Sequence, residues 1–271
     1  MRWRSRIVRA KLSGRLPALP WNGLPNVLGQ RFENWDPAYF AAPVEGVDDG
    51  GLIAYETPFG QFYGPPQERN AVSTVVVESL CRIYHRPPVM IHPGDVVVDL
   101  GAHLGTFTRV ALLSGARLVL AFEANVLNAK CFRKTFQKEI AEGKVVVIET
   151  PVWSERGMVR FSGDGLVGQI GETGDLRQAV AIDDVVQELG IDRVDFIKTD
   201  IEGAERHALR GAARMLSTNA PQLAVSSYHY PDDPAVLRDI VTKYHSYRVT
   251  FDKGRKRMFC YPISDRLLRN P

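Results

Sequence analysis

The stretch Val98-Asp99-Leu100-Gly101-Ala102-His103-Leu104-Gly105-Thr106-Phe107 leaves a continuous apolar run and enters a helical pattern. The run itself, Val96-Val97-Val98, has no polar alternation, as expected of a strand covered on both faces. Gly101 lets the backbone turn tightly where strand gives way to helix, and Gly105 lets that helix approach the strand closely. A bare strand-to-helix turn would satisfy this much. Two features point instead to a ligand loop. The spacing D-x-G-x-x-x-G differs from G-x-G-x-x-G, whose helix N-terminus receives a pyrophosphate. Asp99 also places a carboxylate at the strand end, where it repels a phosphate and attracts an ammonium or a sulfonium.

Outward from this loop, short apolar runs alternate with amphipathic stretches. Strands are expected at 96–98, 118–122, 145–149, 194–198 and 223–227, and helices at 104–114, 126–142, 183–189, 204–216 and 234–244. Two closing runs, 247–251 and 258–261, flank Asp252-Lys253-Gly254-Arg255 and read as a hairpin. Such alternation gives an α/β fold with a mostly parallel sheet covered on both faces, whose ligands bind beyond the carboxyl ends of the strands. Before the sheet, 17–66 is rich in Pro, Gly, Trp and Tyr and reads as an irregular cap; 70–85 has helical spacing until Pro87-Pro88 stops it. The division expected is a basic arm, cap and adaptor helix over 1–90 and a cofactor domain over 91–271.

Leu120-Ala121-Phe122-Glu123-Ala124-Asn125 ends the second strand on Glu123, 22 residues past Gly101. A carboxylate there accepts hydrogen bonds from both hydroxyls of a ribose, although an acid at a strand end also serves as a helix cap. Together with Asp99 and the two glycines it describes a nucleoside site. A positively charged nucleoside without a pyrophosphate is S-adenosylmethionine.

Three further stretches join these: Val194-Asp195-Phe196-Ile197-Lys198-Thr199-Asp200-Ile201-Glu202-Gly203-Ala204-Glu205, then Leu209-Arg210-Gly211-Ala212, then Ser226-Ser227-Tyr228-His229. In their order and spacing, from about 94 to about 234, the motifs resemble the FkbM family of methyltransferases. The resemblance implies a Rossmann-like class I methyltransferase domain. Its seven-stranded, mostly parallel sheet would end in a C-terminal antiparallel hairpin. It also implies S-adenosylmethionine as cofactor and methylation of hydroxyls on sugars or polyketide-like metabolites. The family has Asn where this chain has His103, so the imidazole either takes over the amide's contacts or the loop binds differently. The cofactor set is then Asp99, Gly101, His103, Gly105 and Thr106 at the methionine end, and Glu123 and Ala124 at the ribose. Trp153 would pack on the adenine or belong to the core, and Val152 and Ser154 are placed beside the base by resemblance only.

Lys198 to Glu205 is polar for the end of a buried strand. Asp200 and Glu202, two apart, share a face of an extended segment. Glu205 complements the positive end of the following helix, and Lys198 neutralises the acids. An aliphatic hydroxyl is a weak nucleophile and benefits from a base, for which His229 is suited by a pKa near neutrality, unless it only tethers its loop. Asp200, Glu202 and His229 are the catalytic candidates. The same three can instead ligate a hard divalent ion such as Mg²⁺. Asp232-Asp233, just before Pro234, read as a helix cap. The stretch 162–174, with five glycines, is either a lid over the acceptor or a plain surface hairpin.

Composition sets the class. The chain has 271 residues, 45% of them hydrophobic and 24% charged, which fits a soluble globular protein and excludes a disordered chain. Cys81, Cys131 and Cys260 have no metal-ligand spacing and cannot all pair, which favours a reducing compartment, the cytoplasm by default. Net charge is +3, but Arg2, Arg4, Arg6, Arg9, Lys11 and Arg15 account for six of the 34 basic residues, leaving 28 against 31 acids. Residues 1–15 interleave Trp3, Ile7, Val8 and Leu12 with those bases. They can lie on an anionic membrane, pack on a partner subunit in a homo-oligomer, or extend as a solvated arm. The body has no basic stripe with interleaved aromatics, so no nucleic-acid partner is expected.

The acceptor expected is a small, sugar-containing molecule methylated on oxygen. Methylation of a peptide or amide nitrogen uses the same cofactor site. A nicotinamide-dependent oxidoreductase would need a pyrophosphate site that Asp99 opposes, and a non-catalytic binding module would keep the pocket alone.

Overall fold

A computed structural model describes residues 42–43, 51–80, 83–164 and 167–263. The basic arm, 1–15, lies outside them. A seven-stranded sheet runs in the order β12-β13-β11-β10-β4-β5-β6. Its strands are β4 (Val96–Leu100), β5 (Leu118–Phe122), β6 (Val145–Ile148), β10 (Phe196–Thr199), β11 (Gln222–Ser226), β12 (Tyr247–Phe251) and β13 (Arg257–Pro262). β6, β5, β4, β10 and β11 are parallel neighbours, and β13 is antiparallel to both β11 and β12. This is the mostly parallel sheet with a closing hairpin that the strand grammar implies, and the seven-stranded Rossmann-like sheet that the resemblance implies.

The apolar runs feed two layers at once. Val97, Val119 and Phe196 pack on one face, whereas Val96, Val98, Leu120 and Ile197 pack on the other. The chain builds outward from β4 through β5 to β6, then crosses back to β10 on the other side of β4. The order therefore reverses between β4 and β10, and the crevice at that switch is where a ligand fits.

The helices are α2 (Thr106–Leu113), α3 (Val126–Thr135), α4 (Gln137–Ala141), α5 (Ile182–Glu188), α6 (Glu205–Arg210), α7 (Ala213–Thr218) and α8 (Asp233–Tyr244), preceded by α1 (Arg69–Leu80) in the cap. Two helices expected as single pieces are each two. The 126–142 helix breaks at Phe136, whose ring is fully buried between layers. The 204–216 helix breaks at Gly211-Ala212 and restarts where Asp183 Oδ2 and Oδ1 accept from the backbone N–H groups of Arg214 (2.6 Å) and Met215 (3.0 Å). The helix expected over 70–85 is described over Arg69–Leu80, and residues 83–84 form a turn.

Two small antiparallel sheets complete the chain. β1 (Ala42–Pro43), β2 (Ile53–Thr57) and β3 (Gly60–Gly64) form one in the cap. β7 (Gly157–Asp164), β8 (Val167–Gly171) and β9 (Asp175–Ala179) form the other, in the order β8-β7-β9. The cap is no appendage: Phe59, Phe62, Val76 and Tyr84 share one core with Phe107, Phe132 and Phe136. Among the described residues no helix is long and apolar enough to cross a membrane.

Candidate functional site

One cavity of about 310 Å³ opens at the switch point, lined by the ends of β4, β5 and β10, by α1 and Tyr84 of the cap, and by the β7–β8 hairpin. Gly101 forms part of its wall at φ 73°. A Cβ there would lie 1.9 Å from the Asp200 carbonyl oxygen, so only glycine permits β4 and β10 to turn away from each other at this spacing. Gly105 serves packing instead: a Cβ on it would lie 2.1 Å from the Phe136 ring, and it does not line the cavity.

Asp99, expected at the methionine end, does not line the cavity either. It is fully buried, in register with Lys198 on β10. Its Oδ1 lies 3.1 Å from Lys198 Nζ, and its Oδ2 accepts from Thr108 Oγ1 at 2.7 Å. Lys198 Nζ in turn donates to the carbonyls of Leu100 (3.0 Å) and Gly101 (2.7 Å). Asp99 thus acts on the cavity through Lys198, which clamps the loop after β4. Among the described residues Lys198 is the one Lys or Arg on the lining, and it is spent in this way.

His103, at φ 53°, lines the cavity and donates its backbone N–H to Glu123 Oε2 at 2.6 Å. Burial, and then the positive charge of Lys198, push its imidazole down to about 4, so the ring is neutral at pH 7. Its Nδ1 is buried without a hydrogen-bond partner. Glu123 accepts at Oε1 from the Asn125 N–H (2.8 Å) and faces the cavity; burial raises its pKa, partly offset by the two backbone donors. Thr106, Ala124 and Val152 also line the cavity. The Ala124 carbonyl is held by Arg177 Nη1 of β9 at 2.8 Å. Trp153 and Ser154 do not reach the lining. The Trp153 ring stacks on His207 at 3.6 Å between centroids.

The glycine-rich stretch is a hairpin that walls the cavity. Phe161, Val167, Gly168, Gln169 and Ile170 line it, and Asn125 Nδ2 donates to the Val167 carbonyl at 3.2 Å.

On the β10 side Asp200 lines the cavity from just beyond the strand. Its Oδ2 accepts from Tyr84 Oη (2.8 Å) and its Oδ1 from Tyr228 Oη (3.3 Å). Glu202, at φ 53°, and Glu78 of α1 also line the cavity. Burial, and then the charge of Asp200, raise the pKa of Glu78. His229 lies behind these acids, outside the lining. Its Nε2 is 3.4 Å from Glu202 Oε2 and 3.9 Å from Asp200 Oδ1, and its Nδ1 is 3.3 Å from Glu205 Oε2. Burial works against its charge, but Glu202, Glu205 and Asp200 outweigh it and carry the pKa up to about 10. His229 is therefore an imidazolium at pH 7, which corrects its assignment as a near-neutral base. Glu205, 1% exposed, does more than face a helix end: it accepts from the N–H groups of Ile201 (2.8 Å) and Gly203 (3.0 Å), fixing the turn that presents Asp200 and Glu202.

Asp200, Glu205 and His229 place donor atoms within 4.8 Å of one another, a set that would suggest a divalent ion. Glu205 is 1% exposed and both its oxygens accept backbone N–H groups, which leaves no room around it for the several waters that Mg²⁺ keeps, so the set does not fit that ion. Asp233 accepts from Tyr230 N–H at 2.8 Å and, with Asp232, pairs with Arg206.

Tyr84, Tyr228 and Glu78 were not singled out from the sequence. Tyr228 stood within the Ser226-Ser227-Tyr228-His229 motif, whereas nothing local marks Tyr84 or Glu78, which reach the site only because the cap folds over it.

A nucleoside with a sulfonium matches this donor set. Glu123 lines the cavity beside His103, whose N–H it accepts and whose Nδ1 has no partner among the described residues, and four acids on the lining meet a single neutralised lysine. Among the described residues the lining offers a pyrophosphate no free cation.

The model of the methyltransferase FkbM domain matches residues 99–249. No match is found among curated proteins. Among solved structures, methyltransferase FkbM from Methylobacillus flagellatus KT is 20% identical, with a TM-score of 0.52, over 89% of this chain and 60% of that one. The chain thus spans about three fifths of that relative's length. Precorrin-6y C5,15-methyltransferase from Geobacter metallireducens GS-15 is 13% identical at a TM-score of 0.39, covering 65% of this chain and 84% of its own. An rRNA methylase from Streptococcus thermophilus is 12% identical at 0.40, covering 64% and 90%. With more than half its residues matched by the family model, and with the sheet order and switch-point cavity described above, the chain belongs to the FkbM methyltransferase family.

Proposed function

We propose that the protein is a cytoplasmic S-adenosylmethionine-dependent methyltransferase acting on a hydroxyl oxygen of a small, sugar-containing molecule. The observation that carries this reading is a single cavity that joins Glu123 at the end of β5 to Asp200 at the end of β10, with Gly101 between them. When bound, the cofactor supplies a methyl group on a positively charged sulfur. Glu123 would hold the ribose hydroxyls, Val152 the base, and Gly101, His103 and Thr106 the methionine end. The acidic lining favours a cation over an anion in this space.

On the acceptor side Asp200 accepts the proton of the incoming hydroxyl at a carboxylate oxygen, orienting its lone pair. Most of the rate comes from holding that oxygen in line, which is a positioning task. Tyr228, half-exposed beside Asp200, offers an aromatic face to the C–H groups of a sugar ring. Glu202 lies next to it as a second acceptor of hydroxyl hydrogen bonds. Cys260 is a buried free thiol, in keeping with a reducing compartment.

The test is methyl transfer from labelled S-adenosylmethionine to a panel of hydroxylated glycosides and to matched amide acceptors. The reading expects product on oxygen and a loss of about 100-fold or more in kcat for Asp200→Ala, with cofactor affinity little changed. Methylation of the amide acceptors alone, or full activity in Asp200→Ala, would overturn it.

A further inference from the structure

Tyr84 lies 15 residues before the family domain begins at 99, yet it reaches the centre of the site. It is 7% exposed, with its ring edge-on to Phe107 at 6.2 Å between centroids. Its hydroxyl is 2.8 Å from Asp200 Oδ2 and 3.0 Å from Ser226 Oγ. Ser226 is fully buried at the end of β11.

Hydrogen-bond counting fixes the direction of this chain. An ionised carboxylate can only accept, so the single phenolic proton goes to Asp200. Ser226 must then donate to the phenolic oxygen, and each bond polarises the next. Lys198 Nζ and the Arg257 guanidinium lie 5.5 and 5.4 Å from the Tyr84 ring centroid.

We propose that Tyr84 is a positioning residue: the relay Ser226 to Tyr84 to Asp200 fixes the direction in which the acceptor-side carboxylate faces the cavity, so the segment before the family domain completes the active site. This rests on the proposed function, in which Asp200 receives the acceptor hydroxyl. Burial and the charge of Asp200 hold the phenol pKa well above its ordinary value, so Tyr84 stays a donor throughout the working range. Tyr228 has a different standing. It is 47% exposed, and its contact with Oδ1 is the longer one.

The test uses the full chain with Tyr84→Phe, Ser226→Ala and Tyr228→Phe. Tyr84→Phe keeps the ring against Phe107 and removes only the donor. It should lower kcat about tenfold or more, with acceptor KM and S-adenosylhomocysteine affinity changed less than about twofold, and move the acid limb of the kcat profile to higher pH. Ser226→Ala should give a smaller loss of the same kind. A second readout needs neither cofactor nor acceptor: a slowly exchanging, downfield hydroxyl proton resonance. It should vanish in Tyr84→Phe, move in Asp200→Asn and persist in Tyr228→Phe. Wild-type kcat in Tyr84→Phe, or a resonance unmoved by Asp200→Asn, would overturn the proposal. Failure of the wild-type protein to bind S-adenosylhomocysteine would instead overturn the cofactor reading and leave the resonance test standing.

Discussion

Lys198 and Asp99 face each other in register on adjacent central strands, both buried, with Nζ 3.1 Å from Oδ1. Such a pair contributes little against an apolar replacement of both, but losing one partner strands a charge. Lys198→Met should therefore cost about 3–5 kcal/mol in urea unfolding, and Asp99→Leu added to it should recover most of that loss. A cost below about 1 kcal/mol for Lys198→Met would contradict the clamp. The two site histidines titrate in opposite senses. His229 has a folded-state pKa near 10 against an ordinary 6.5, so its contribution to stability is whole below pH 6.5 and is lost as pH climbs through 10. His103 sits near 4 against 6.5, so it costs stability as pH falls from 6.5 toward 4. Unfolding followed by denaturant at a series of pH values should show an alkaline decline that His229→Gln flattens; an unchanged decline would count against the imidazolium. From the sequence, acids and glycines at strand ends could be read because strand ends in this fold are the ligand edge. The charge on His229 could not, because it depends on Glu205, folded back from 24 residues away.

At the scale of the element, the β7–β8 hairpin meets the cofactor end through Asn125. That side chain caps α3, accepting from the N–H groups of Leu127 (2.9 Å) and Asn128 (3.1 Å), while its amide donates to the Val167 carbonyl. Asn125→Ala should cost about 1–2 kcal/mol of stability and also weaken S-adenosylhomocysteine binding, since helix and wall loosen together. Thermal melting and calorimetry would check both, and weakened stability with unaltered affinity would show the hairpin to be dispensable to the site. Strand–helix alternation was readable because each buried parallel strand is a continuous apolar run. The helix break at Gly211 was not, since the N–H groups of the restarted helix are taken up by Asp183, some 30 residues earlier in the chain. Five glycines left the β7–β8 pairing as one of two readings for a related reason. A strand short of side chains shows no period of two, and its register is set by neighbours.

At the scale of the whole molecule, the sheet and four of its motifs stood in the sequence in order, whereas the cap did not. Its contribution lies in Phe62 packing edge-on against Phe136, 6.3 Å away, and in Glu78, Tyr84 and their neighbours on the cap forming one wall of a cavity whose other walls come from beyond residue 100. Contacts of that kind have no local signature. The formal charge of +3 says equally little about the site, where four acids and one paired lysine line the same space. The proposed occupant of that space is S-adenosylmethionine, and calorimetric titration of the full chain with S-adenosylhomocysteine and, separately, NADH tests this proposal most directly. One molecule of S-adenosylhomocysteine should bind per chain and NADH should not, with Glu123→Ala weakening the first by about tenfold or more through loss of charge-assisted hydrogen bonds to the ribose. Binding of NADH in its place, or undiminished affinity in Glu123→Ala, would contradict the account.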